Sequence, residues 1–264
     1  MKFSRLLPFA LAAAGTAAHA DVTVVSTTAG KAAFFDVGGT VTSQIKGNRM
    51  RTDSVLGSRG SALIVDIDGK RFIDIDDKKK AATVTMLETL RAQIDKVGVG
   101  TMTATLKKTS QTKTIAGYSC TVHDLNVQMP FSITGHPGDG MDVTMVMNGT
   151  ACLSTSAPGL ADYQAFYRAS AESGFIFGDP KVAKSPAAAA QQKAYADLTR
   201  KMAEAGMALE SHVTITASGS NPMASMMAKV AASDITTTVT QVTVGDLPAD
   251  KFDVPAGYKV KTQK

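Results

Sequence analysis

Short runs of alternating apolar and polar residues fill the chain from Asp21 to about Thr85 and predict strands broken by turns. Val22 to Thr28 is rich in Val and Thr, residues that suit a pleated, half-buried surface. TVTSQI and RMRTD flank Lys46-Gly47-Asn48, which reads as a hairpin turn. Leu63 to Ile75 predicts a second hairpin, and its Asp68-Gly69 suits the two φ > 0 positions of a type I′ loop. That register pairs Asp66 with Arg71, Ile64 with Ile73 and Val65 with Phe72; a three-residue loop would give a different one.

The period then changes. Thr85 and Glu88 have capping-box spacing, Leu87, Leu90, Ile94 and Val97 recur at helical intervals, and Gly98 follows as a stop. Strands resume at Thr101 to Ser110, Tyr118 to Met129 and Asp142 to Leu153, the last two joined by the Gly/Pro-rich loop Thr134 to Gly140. From about 157 to 206 the pattern is helical. Leu160, Tyr163, Phe166, Tyr167 and Ala171 form one apolar face. A second helix opens at Ser185-Pro186, carries Tyr195, Leu198 and Met202, and ends at Gly206. Between them GFIFGDPKVAK presents Phe175 and Phe177 as buried residues. Leu209 to Ala217 and Asp234 to Val244 are further strands, separated by a short helix capped at Asn221-Pro222. The C-terminal LPADKFDVPAGYKVKTQK reads as ordered but non-regular. Runs of strands interrupted by runs of helices predict an α+β fold with an antiparallel sheet, and the helical stretch reads as an insertion covering one face.

The first twenty residues stand apart. Lys2 and Arg5 precede an apolar stretch from Leu6 to Ala14, and Ala18-His19-Ala20 supplies the small residues that signal peptidase cuts. Residues 1–20 therefore read as an export signal, with cleavage between Ala20 and Asp21. The stretch is too short to span a bilayer, which takes roughly 20 residues. Asp21 stands where a lipid-anchored protein would carry Cys. The expected mature chain, residues 21–264, is one periplasmic domain with no membrane span and no anchor.

Export changes the reading of the cysteines. Cys120 and Cys152, the two in the chain, are expected to form a disulfide, because they fall on adjacent strands of an exported protein. Trp is absent and aromatics make up 6% of residues, so the core must rest on Val, Ile, Leu, Met and Ala. The net charge of +5 is mild and unclustered, which argues against a nucleic-acid partner.

Candidate chemistry is sparse. The chain has no nucleophile elbow, zinc-protease motif or phosphate-binding glycine loop. S-x-x-K occurs at Ser43–Lys46 and Ser110–Lys113, but on predicted strands residues three apart point to opposite faces. His136, Asp139 and Asp142 lie close together in a loop and read as solvated turn formers rather than metal ligands. Asp66, Asp68, Asp74, Asp76 and Asp77 alternate with Lys70, Arg71, Lys78, Lys79 and Lys80 and read as ion pairs. Met141, Met145, Met147, Met223, Met226 and Met227 read as core filling rather than a copper site. No catalytic residue, metal or cofactor is expected, and no ligand-binding residue can be assigned.

Four motifs carry a resemblance: GNRMRTD, GKRFIDIDDKKK, KTIAGYSCTVHDL and KFDVPAGYKV. Together they resemble an uncharacterised family of exported bacterial proteins, marked by Ile115-Ala116-Gly117-Tyr118-x-Cys120 and by Pro255 to Tyr258. That family is similar to the lipoprotein carriers LolA and LolB. The resemblance implies a curved, incomplete antiparallel β-barrel with helices covering its concave side. It also implies a non-enzymatic protein that binds a lipid or an acylated protein. The alternative is an envelope structural, interaction or stress protein whose barrel is filled by side chains.

Overall fold

The computed structural model describes residues 21–32, 35–57, 59–89, 98–99, 102–133, 141–175, 186–219, 228 and 232–263. The expected signal peptide with Ala20, the helical positions 90–97, the loop with His136 and Asp139, Phe177, Ser185 and the Asn221–Met227 helix lie outside these residues.

The described residues form thirteen strands in one curved, unclosed sheet. These are β1 (Val22–Ala32), β2 (Phe35–Lys46), β3 (Arg49–Leu56), β4 (Arg59–Asp66), β5 (Arg71–Asp76), β6 (Ala81–Met86) and β7 (Gly98–Val99). They continue with β8 (Thr103–Ile115), β9 (Tyr118–Ile133), β10 (Met141–Ser154), β11 (Met207–Gly219), β12 (Ser233–Val244) and β13 (Lys259–Gln263). The order is β13-β6-β5-β4-β3-β2-β1-β12-β11-β10-β9, with β7 and β8 sharing the far side of β9. Two α-helices, α1 (Leu160–Glu172) and α2 (Pro186–Ala205), lie between β10 and β11 in the chain. The sheet dominates, with helices few among the described residues.

Local turn chemistry sets the hairpins. Gly47 takes a φ of 55° in the two-residue loop between Lys46 and Arg49. Ala116 and Gly117, at φ 50° and 85°, make the two-residue turn between β8 and β9, and both signs fit the type I′ geometry that suits strand twist. The β4–β5 register is the expected one, with Asp66 opposite Arg71 and Val65 opposite Phe72. Its turn differs. Four residues, Ile67 to Lys70, form it, and Lys70 rather than Asp68 or Gly69 takes the positive φ, 48°. The Asp66 carboxylate explains this: it accepts the Gly69 N–H at 2.9 Å and Arg71 Nε at 2.8 Å, fixing the turn from inside. The next hairpin repeats the device, with Asp76 accepting the Lys79 N–H at 3.0 Å and Lys80 at φ 47°.

Two further expectations fail. Thr85 does not cap a helix; it pairs with Phe72 in β6, and helical backbone begins only at Leu87. The ladder to β5 and β13 already occupies its backbone. The C-terminal segment is also more regular than expected. Ala249–Phe252 is a 3-10 turn, and Lys259–Gln263 adds β13 parallel to β6, so the sheet is not wholly antiparallel.

β4 and β5 carry buried apolar residues on both faces at Ile64–Val65 and Phe72–Ile73, which accounts for consecutive apolar residues there, while the Leu63–Asp74 pair is exposed. Val65 and Phe72 join the main cluster with Val22, Ile45, Phe166 and Leu209. Ile64, Ile73 and Ile75 face the other way, against Val254 and Tyr258 of the C-terminal segment. Phe166 and Phe252 are the largest fully buried side chains described, so aromatic residues anchor a core expected to be mainly aliphatic. Phe175 is buried and meets Phe72 with ring centroids 5.0 Å apart.

Candidate ligand-binding cleft

Followed by register, one face of the sheet runs from Leu106 and Leu125 through Val213 and Ile235 to Val24, Ser43 and Thr52. The two helices cover opposite ends of it. Leu198, Ala194 and Met202 of α2 pack on Leu125, Val127 and Met129. Phe166 of α1 anchors the other end in the main cluster. Between the sheet and α1 a cleft of about 170 Å³ remains.

Two β-bulges frame the cleft. In β11 the pairing skips Leu209, because Leu153 faces Ala208 and Cys152 faces Glu210. In β12 it skips Thr240, because Ser26 faces Val239 and Val25 faces Gln241. An extra residue bends its strand and re-aims side chains. Leu209 is fully buried and lines the cleft together with Val24, Ile45 and Val239. No alternation of apolar and polar residues signals such a bulge, so Leu209 was invisible as a site residue.

The roof is Tyr163 and Tyr167, one helical turn apart, with ring centroids 4.5 Å from each other. Burial pushes the Tyr163 phenol well above its ordinary value, with the neighbouring Tyr167 adding to the rise and a backbone hydrogen bond from Ala208 opposing it. Burial also raises Tyr167, and the hydrogen bond between the two hydroxyls lowers it in part. Both phenols therefore stay protonated through the neutral range.

The floor carries hydroxyls. Ser26 Oγ donates to the Val41 carbonyl at 3.3 Å, Thr237 Oγ1 lies 3.3 Å from Thr28 Oγ1, and Ser43 Oγ lies 3.5 Å from Thr52 Oγ1. Glu210 is the charged residue of the lining, and its carboxylate pairs with Lys113 of β8. Among the described residues no lysine, arginine or histidine lines the cleft.

The other candidates separate from this site. Cys120 and Cys152 lie at disulfide distance, Cα–Cα 5.3 Å, on neighbouring strands and two positions out of direct register. Both are buried in the main cluster. The S-x-x-K copies bring no Ser to its Lys: Lys46 Nζ meets Asp21 at 2.6 Å and Asp246 at 2.8 Å, and Lys113 meets Glu210. Asp66 pairs with Arg71 and Asp76 with Lys79, while Asp68 accepts from Asn48 and Asp77 from the Tyr258 hydroxyl. Among the described residues no three His, Cys, Asp or Glu side chains converge as a metal site. Met145 and Met147 pack into the cluster beneath α2.

The motifs behind the family resemblance turn out to hold the fold together. Arg51 forks onto Asp53 and donates to the Lys251 carbonyl, Arg49 pairs with Asp253, and Tyr258 reaches Asp77. GNRMRTD, DDKKK and KFDVPAGY thus clamp the C-terminal segment onto β3 to β6. Asp53 raises the Arg51 guanidinium further, and Asp77 raises the Tyr258 phenol.

Fold and cleft together define a sheet-dominated protein with a helix-roofed cleft on one face. The chain matches no family model and no curated protein. Among the described residues no helix is long and apolar enough to cross a membrane.

Proposed function

We propose that this protein is an exported, non-enzymatic binding protein of the periplasm, built as a half-barrel like that of the lipoprotein carriers. Its ligand is apolar and sits between the sheet and α1. The observation that carries this reading is the cleft itself: apolar walls from four strands, a pair of tyrosines above, and bulges that aim Leu209 and Val239 inward. The cysteine pair at disulfide distance suits an oxidising compartment. In the carriers the equivalent space takes acyl chains of a lipid or an acylated protein. Here about 170 Å³ falls below the roughly 300–1,000 Å³ of drug-sized ligand pockets. An entire acyl chain would require α1 to lift from the sheet, and among the described residues no arginine lines the cleft to latch it shut afterwards.

The small volume also favours a second reading, an envelope interaction or stress protein whose barrel is filled by side chains and binds nothing. Native mass spectrometry of protein purified from the periplasm, with solvent extraction of any bound molecule, separates the two. A co-purifying apolar ligand, or saturable binding of any small apolar probe lost when the cleft is filled, supports the binding reading. Absence of both supports the filled barrel.

A further inference from the structure

Size, charge and hydroxyl content of the cleft are mutually consistent and narrow the ligand class. We propose that the cleft, at its present size, binds a neutral molecule of about one ring carrying a hydroxyl group, such as a phenol or a benzylic alcohol, and not an acyl chain. The inference rests on the reading that this cleft is a binding site.

Volume comes first. An apolar cavity of about 150 Å³ accommodates benzene, and this cleft measures about 170 Å³. It fits one ring with a short substituent.

Charge comes second. Fatty acids and phospholipids carry anionic groups that need a cationic or N–H-rich site when taken out of water. Among the described residues the one charged residue of the lining is Glu210, and Lys113 engages its carboxylate. A carboxylate taken into the cleft would leave water without a free cation to receive it among the described lining residues, so a neutral ligand is selected.

Hydroxyls come third. Both tyrosines, Ser26, Ser43, Ser211 and Thr237 line the same small volume. A hydroxyl both donates and accepts, so a wall of hydroxyls matches a hydroxyl-bearing ligand whichever way its proton points. Ser26, Ser43 and Thr237 already bond within the fold, but each hydroxyl oxygen keeps a lone pair that a hydroxyl-bearing ligand can meet and a pure hydrocarbon cannot. The ring would lie against Leu209 and Val239, beneath the tilted Tyr163–Tyr167 pair, where offset or edge-on aromatic contacts are favourable.

The test is a titration of the purified mature chain, followed by NMR and calorimetry, with phenol, benzyl alcohol, benzoate and decanoate as separate probes. Phenol and benzyl alcohol are expected to bind with a dissociation constant at or below roughly 1 mM. Benzoate is expected to bind at least tenfold more weakly. Binding should shift the ring resonances of Tyr163 and Tyr167, a readout that needs no variant. Val239→Phe, which fills the cleft, should abolish it, and Ser211→Val, a milder change, should weaken it if the first variant folds poorly. Decanoate or benzoate binding at Tyr163 and Tyr167 more tightly than phenol would overturn this ligand class while leaving the binding reading intact. Failure of all four probes to shift either tyrosine would overturn both.

Discussion

Reducing the Cys120–Cys152 bridge should cost the protein several kcal/mol while leaving its packing almost unchanged. The two residues are 32 apart in sequence, and the loop-entropy relation gives about 3.7 kcal/mol for releasing a loop of that length. The remainder of the cost should be small for a structural reason. Both sulfurs sit in the main cluster, with the residues 3% and 2% exposed, and a buried thiol packs as a small apolar group. Reduction therefore removes a constraint on the unfolded chain without opening a cavity. Cys120→Ala with Cys152→Ala should cost more, because it does both. Urea denaturation with and without reductant reads the effect. With a slope between about 1 and 3 kcal/mol per molar, the midpoint should fall by roughly 1–4 M on reduction. In a thermal scan the same loss corresponds to roughly 7–15 °C for a domain of this size. Coincident midpoints for the oxidised and reduced chains would refute the reasoning. So would two thiols that react with iodoacetamide in denaturant before any reductant is added.

Three further outcomes follow from individual side chains and one tyrosine pair. Phe252→Ala should destabilise by about 3–5 kcal/mol in urea denaturation, since Phe252 is almost fully buried beneath the C-terminal clamp; a loss of unfolding free energy under about 1 kcal/mol would show that the clamp is dispensable. Ala116→Asn should stabilise by about 1 kcal/mol, because Ala116 holds φ 50° in a turn that favours Asn-Gly, and equilibrium denaturation measures the gain. Raising the pH past the ordinary phenol value of 10.0 should weaken the fold through Tyr163 and Tyr167. Their folded-state pKa values lie above the unfolded ones, so the unfolded chain loses protons first and stability falls as pH rises. The Tyr163→Phe, Tyr167→Phe double variant should show a shallower decline between pH 9 and 11, and an identical slope would rule the pair out as its source.

Much of the architecture was readable because its causes are local. Gly47 stands where the chain must reverse, and its backbone freedom is a property of that residue alone. The turn at Ala116-Gly117 went unread, because an alanine gives no sign that it will take a positive φ. Period-two alternation placed the strands, and the spacing of Leu160, Phe166 and Ala171 placed α1, because the first periodicity marks a half-buried strand and the second a half-buried helix. Where a partner elsewhere in the chain decided the outcome, sequence reasoning failed. Thr85 has helix-capping chemistry, yet β5 and β13 hold it in a strand. Lys259 to Gln263 has little apolar content to mark it as a strand, and it becomes one only because β6 offers an open edge, with the buried Phe252 anchoring the segment before it. The cleft belongs wholly to this second class. Its walls come from β1, β2, β11 and β12 and its roof from α1, brought together by pairings as distant as Val24 with Val242. The bulges that shape it are mismatches between two strands, so neither strand carries the signal alone. The sequence by itself determined turns, periods and the cysteine pair; tertiary structure decided the bulges, the parallel edge and the cleft, because those depend on which distant segments share a ladder.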